Sequence, residues 1–221
     1  MERALIIGAS GGIGGAVAAQ LSREGVAVEG LSRREHGFDL CAPETVEAQL
    51  TRRDGPYDLV FIATGALELD GRLPEKALRQ VTAEGLARQF AVNAIGPALI
   101  LRHAARLLPR DRRSVLAALS ARVGSIADNR AGGWYGYRAA KAALNQIVHG
   151  AAIELARTHP EAICVALHPG TVATGLTAAY RGRYPAVPPD QAAARLLKVC
   201  AGLTPEQSGG FYDYSGTAVP W

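Results

Sequence analysis

Two patterns of apolar positions alternate along the chain. Short, nearly unbroken apolar runs at residues 4–7, 26–31, 58–63, 115–119, 163–167 and 210–214 read as strands. Between them lie stretches with helical spacing at 12–23, 43–52, 82–108, 137–157 and 189–201. Gly25 ends the first helix and Pro160 follows the fourth, while Pro97 is the one breaker inside 82–108. Strand and helix alternating from end to end predict an α/β fold: a single-domain, Rossmann-type, doubly wound parallel sheet with helices on both faces. Residues 175–189 form the one long irregular stretch, rich in Pro and Gly and carrying Tyr180 and Tyr184. A loop of that length after a strand predicts a lid over a partly apolar pocket.

With 221 residues the chain is sized for one domain, here 1–221. Hydrophobic residues at 48% and charged residues at 20% suit a packed core. No apolar run approaches the roughly 18 residues of a membrane span, and the short apolar start runs straight into a glycine turn, so the expected compartment is the cytoplasm and no membrane partner is expected. Net charge is +4, but the arginines are scattered. The densest group, Arg110, Arg112 and Arg113, follows Pro109 as a loop rather than a basic stripe, so no nucleic-acid partner is expected. Cys41, Cys164 and Cys200 are odd in number and far apart, which suggests neither a disulfide framework nor a metal site.

The first strand runs into Gly8-Ala9-Ser10-Gly11-Gly12-Ile13-Gly14 and then directly into a helix. A dinucleotide pyrophosphate needs this arrangement: one glycine for the tight turn, one for close backbone approach, one for helix–sheet packing, and helix N–H groups facing the anion. The second strand ends Ser32-Arg33-Arg34 with no acid at the position that would hold a ribose 2′-hydroxyl. A guanidinium fork at Arg33, beside Ser32, matches a 2′-phosphate, which favours NADP over NAD. Asp39 either accepts from the adenine amino group or caps the helix that follows.

Tyr137 and Lys141 stand four residues apart at the start of a helix, so phenol and ammonium project from one face. A nearby cation stabilises tyrosinate and lowers a phenol pKa ordinarily near 10.

With the glycine turn, YRAAK at 137–141, AVNAIGP around Asn93, HPGTVAT at 168–174 and the ending GGFYDYSGTAVPW, the chain resembles the short-chain dehydrogenase/reductases over its whole length. Within them it is most similar to the small C-factor-like and sniffer-like carbonyl reductases. The resemblance implies that Tyr137 exchanges a proton with the substrate oxygen. It implies that Lys141 lowers the Tyr137 pKa and binds ribose, and that Asn93 holds a water behind Lys141. It also sets Gly8, Ser10, Gly12, Ile13, Gly14, Ala63, Gly65, Pro169, Gly170, Val172 and Thr174 against the cofactor. His168 reads as strand-end packing or surface, not as a base. Long helices of this family commonly pair, and the small residues Ala139, Ala140, Ala142 and Ala143 suit a homodimer or homotetramer, or equally a face against the sheet.

Four departures stand out. Ile7 replaces a threonine before the first glycine, and Ile62-Ala63-Thr64-Gly65 replaces Asn-Asn-Ala-Gly. The stretch between the second strand and Asp39 is short, as if a helix and most of a strand were trimmed. The family's catalytic serine, three residues before a glycine, is Ala121 before Gly124. Ser120 is one residue earlier, and a turn at the strand end would present it as the substrate-oxygen donor, although successive strand residues face opposite ways. The implied function is NADP(H)-dependent reduction of a small carbonyl compound: an aldehyde, ketone or quinone. The alternative is a nucleotide-binding signalling protein on the same fold with weak or no turnover.

Overall fold

A computed structural model of the chain describes residues 1–180 and 186–221. Among these, six strands form one sheet: β1 (Arg3–Ile7), β2 (Ala27–Leu31), β3 (Leu59–Ile62), β4 (Ser114–Leu119), β5 (Ala162–His168) and β6 (Phe211–Asp213). Their order is β2-β1-β3-β4-β5-β6 and every pairing is parallel. A parallel sheet is covered on both faces, which is why β3 and β4 are wholly buried and read as continuous apolar runs. β2 is an edge strand with a half-polar pattern, in keeping with the trimmed segment after it.

Side chains alternate along each strand and feed two cores. One face carries Ala4, Ile6, Phe61, Ala117 and Val165 against α1 (Gly12–Arg23) and a later helix, Pro189–Gly202. The other carries Leu5, Ile7, Val60, Ile62, Leu116, Ala118 and Cys164 against helices from the middle of the chain. The first of these is α3 (Pro43–Thr51), through Val46 and Leu50; α2 (Arg33–His36), a four-residue helix that the sequence pattern did not announce, buries none of its residues.

The helix read across 82–108 is in fact several pieces. α4 (Ala83–Phe90) passes into a π-helical turn (Ala91–Ile95), then α5 (Gly96–Leu101) and α6 (Ala104–Leu107). Pro97 supplies the reason: it has no N–H for the carbonyl four residues back, that of Asn93, and the Gly96 N–H instead reaches Ala91 five residues back. α7 (Tyr135–Leu155) is the longest helix and α8 (Pro189–Gly202) the last. No helix among the described residues is long and apolar enough to cross a membrane. Tyr184 and the side chain of Tyr180, read as lid residues, lie outside the described residues; the backbone of 175–180 forms a 3-10 turn.

Candidate active site

The glycine turn closes at the C-terminal end of β1, where the sheet order reverses and a crevice opens. Gly8 adopts φ +91°, and its N–H donates to Leu31 of β2 at 2.8 Å. Each of the three glycines has a stated reason. A Cβ on Gly8 would lie 2.7 Å from the Ala63 carbonyl, on Gly12 2.6 Å from Thr174 Cγ2, and on Gly14 2.3 Å from the Gly8 carbonyl. The turn therefore brings Ala63, Thr64 and Thr174 against the start of α1. Gly11 caps α1 without a side chain, and the first turn holds no acid. That helix end thus presents backbone N–H groups and its dipole, as an anion requires. Ser10 is exposed and Ile13 half-buried there.

Where the family has an asparagine, the Ala63 methyl offers nothing. Thr64, which the sequence reading passed over, is the polar group beside the turn: its Oγ1 is buried with no partner among the described residues. At the end of β2, Ser32 is 2% exposed and caps α2, accepting from Glu35 N at 3.3 Å and donating to the Glu35 carboxylate at 3.2 Å. The Ser32 hydroxyl is engaged in capping α2, and Glu35, three residues on within that helix, is the acid it meets. Arg33 is exposed. Asp39 accepts from Cys41 N at 2.9 Å in the turn leading to α3, whose cap residue is Ala42. Asp39 is therefore not the side-chain cap of α3.

Asn93 and Lys141 meet across Gly65. A Cβ built on Gly65 would lie 3.0 Å from Asn93 Oδ1 and 3.3 Å from Lys141 Nζ. Fully buried Asn93 donates through Nδ2 to Ala66 O (2.8 Å) and Gln89 Oε1 (2.7 Å), and its Oδ1 accepts from Ala66 N (3.1 Å). Gln89 continues the clamp onto Leu67 O at 2.9 Å. The side chain of Asn93 thus fixes the chain after β3, and the π-helical turn opens the helix at this same residue.

Tyr137 and Lys141 lie on one face of α7, as their spacing predicts, 7% and 2% exposed. Lys141 Nζ is 5.9 Å from the Tyr137 ring centroid and donates to the Leu119 carbonyl at 2.9 Å. Gly124 permits the approach, since a Cβ there would lie 2.8 Å from Lys141 Cβ. The expected electrostatics need correction: desolvation outweighs the mutual effect. Burial raises the Tyr137 phenol above its ordinary value and pulls the Lys141 ammonium down to about 7. His168 at the end of β5 is likewise held down to about 4 by burial, which agrees with a packing role.

Ser120 does not turn toward Tyr137. Its hydroxyl donates to Asn145 Oδ1 at 2.6 Å, inside the core. The strand alternation continues past Leu119, so Ser120 joins the α7-facing row of Leu116 and Ala118, while Ala121 begins the turn beyond the strand, half-buried. Asn145 sits eight residues after Tyr137, about 12 Å of helix rise away. Just after β5, Gly170 has φ +76° against the Tyr214 ring, Pro169 precedes it half-buried, and Val172 is 2% exposed, pairing with Val187. In the small-residue run, Ala140 faces the core and Ala139 is exposed.

A family model described as enoyl-(acyl carrier protein) reductase matches residues 42–207. The chain is 33% identical, over the whole of both proteins, to 1-hydroxy-2-glutathionyl-2-methyl-3-butene dehydrogenase of Rhodococcus sp. (strain AD45). It is 41% identical over 171 residues to the C-signal protein of Myxococcus xanthus, covering 76% of this chain and 94% of that one. A short-chain dehydrogenase/reductase from Burkholderia multivorans with bound NADP superposes with a TM-score of 0.79 at 26% identity, over 100% of this chain and 99% of that one. An NADPH-bound carbonyl reductase from chicken fatty liver shares the fold, with a TM-score of 0.82 at 20% identity, over 100% of this chain and 94% of that one.

Proposed function

Because the chain belongs to the short-chain dehydrogenase/reductase family of oxidoreductases, we propose that it is an NADP(H)-dependent reductase of small carbonyl compounds, with Tyr137 as the proton donor. One observation carries this reading: Tyr137 and Lys141 are buried on one helix face, with Lys141 Nζ held between Leu119 O and the Gly65–Asn93 contact.

The residues present fit a dinucleotide. Uncapped N–H groups of α1, the close-packed glycines and the unpartnered Thr64 hydroxyl form an anion cradle. Gly8, Ser10, Gly12, Ile13, Gly14 and Thr174 would hold the pyrophosphate, and Arg33 the 2′-phosphate. Ala63, Gly65, Pro169, Gly170 and Val172 would line the nicotinamide end. When bound, the nicotinamide supplies the hydride. Tyr137 gives its hydroxyl proton to the substrate oxygen, and its burial keeps that proton in place until needed. Lys141, titrating near 7, holds ribose hydroxyls and returns a proton to the phenolate. Asn93 keeps the Ala66 backbone and the Lys141 head group in position. A homodimer or homotetramer in the cytoplasm completes the proposal.

The test is NADPH consumption over a panel of aldehydes, ketones and quinones, with NADH alongside. A second reading, a nucleotide-binding signalling protein with little turnover, is favoured by one feature: Ala121 has no hydroxyl and that of Ser120 is bonded to Asn145. Tight NADPH binding in calorimetry with no carbonyl consumed would support it.

A further inference from the structure

Resting on that reading, we propose that Glu75 is a positioning residue for Tyr137: its carboxylate caps the catalytic helix from another segment and holds the turn in which the phenol stands. Tyr137 is the third residue of α7 (Tyr135–Leu155). The first N–H groups of a helix have no partner within it, and a first turn left without one frays. α7 supplies little of its own: Trp134 makes no side-chain cap bond, and the first turn contains no acid. Half-buried Glu75, 61 residues before Gly136, fills the place. Its carboxylate accepts from Gly136 N at 3.2 Å, and its carbonyl accepts from Trp134 N. Glu75 therefore holds the chain on both sides of Tyr135, up to the direct neighbour of Tyr137. A negative charge there also faces the positive end of the helix dipole.

Gly136 is what admits the carboxylate. A Cβ on it would lie 3.0 Å from Glu75 Oε1 and 3.1 Å from Gln89 Cγ. The neighbouring groups are engaged elsewhere. The start of α4 is capped by its own Thr82, whose Oγ1 accepts from Gly85 N at 3.0 Å. Arg88 pairs with Asp70 at 2.6 Å, and Arg138 donates to the Gly133 and Val123 carbonyls. The segment that carries Glu75 runs from β3 to α4. Its near end is fixed by Asn93 on Ala66 and by Gln89 on the Leu67 carbonyl. It thus leaves the Lys141 side of the site at Gly65 and reaches the Tyr137 side at Glu75. Lys141 stands one turn deeper in α7 and has its own anchor, the Leu119 carbonyl at 2.9 Å. The two members of the pair are held by different means, and the clamp at Glu75 serves Tyr137.

The test uses the full chain and measures kcat and KM for NADPH oxidation on one aldehyde, NADPH affinity by calorimetry, and amide hydrogen exchange. E75A is expected to lower kcat about ten- to a hundredfold, the scale of a small misplacement of a reacting group. Aldehyde KM and NADPH affinity should stay within about threefold, the signature of a loss confined to the chemical step. E75Q keeps an acceptor oxygen at the same reach and should restore kcat to within about threefold of wild type. E75D keeps the charge but ends one methylene short, so it should behave like E75A, and it gives the same reading if E75A does not fold. Independently of turnover, amide exchange in E75A or E75D should quicken at residues 135–138 and not at 141–145. An unchanged kcat, a fall that E75Q does not restore, an equal fall in NADPH affinity, or unchanged exchange at 135–138 overturns the proposal. A wild type that oxidises no NADPH with any aldehyde overturns the reductase reading instead, and the exchange measurement still decides whether Glu75 holds the turn.

Discussion

Replacing Ser120 by alanine is expected to damage stability and spare catalysis. The hydroxyl donates to Asn145 Oδ1 in a residue that is 2% exposed, and Asn145 Nδ2 is already without a partner among the described residues. Ser120→Ala strands the oxygen as well. Leaving one buried polar atom unsatisfied costs about 1–3 kcal/mol. For a chain of this size that lowers the melting temperature by about 2–12 °C. Turnover should stay within about threefold, because the Ser120 hydroxyl is turned into the core onto Asn145, eight residues along α7 from Tyr137. Ala121→Ser is the complement. Ala121 is extended, φ −145° and ψ 143°, and half-buried at the strand end, so a serine fits without strain. A hydroxyl added there should raise turnover at least tenfold, up to the 10²–10³ that one preorganised donor is worth. The assay pairs thermal melts with initial rates of NADPH oxidation on one aldehyde. A Ser120→Ala variant that melts like wild type yet turns over 10²–10³ slower would refute the reasoning and restore Ser120 as the substrate's donor.

Tyr137→Phe should abolish turnover with NADPH affinity nearly unchanged, whereas Lys141→Ala should weaken both; single-turnover rates and calorimetry separate the two effects. Arg33→Ala should lose most of any preference for NADPH over NADH, and equal wild-type affinities for the two would count against the 2′-phosphate role, to which the nearby Glu35 carboxylate is opposed. Lys141 also predicts a pH effect. Its pKa is about 7 folded and near 10.5 unfolded, so between those values the unfolded chain binds the extra proton and stability rises with pH. The melting temperature of Lys141→Met, which lacks this cost, should therefore exceed wild type by a margin that shrinks from pH 7 to pH 9; a constant margin would show that Lys141 is not desolvated.

What was legible in the sequence is what is local. The buried strands of a parallel sheet are unbroken apolar runs, so β1, β3, β4 and β5 fall within a residue or two of their predicted places. The Gly8–Gly14 turn and the Tyr137–Lys141 pair are each set by spacing along one element, and both arise where expected. The misreadings all depend on where a neighbouring element lies. Pro97 was visible, but its effect on the register at Asn93 needed the hydrogen-bond ladder. Ser120 and Ala121 differ only in which way the strand end faces, and Asn145, 25 residues on, decides it. Proximity of Lys141 to Tyr137 argued for a lowered phenol pKa, yet both groups are sealed from water, and for a sealed pair the loss of solvation outweighs the neighbour's field. Trp134 has the least readable position of all. Local preference argues against tryptophan at φ 52°, and the Glu75 carbonyl that holds its backbone and the Tyr137 ring it meets are contacts that spacing along the chain does not announce. Local rules and the fold disagree there, one turn before Tyr137, because contacts from distant segments decide a backbone that local preference would not choose.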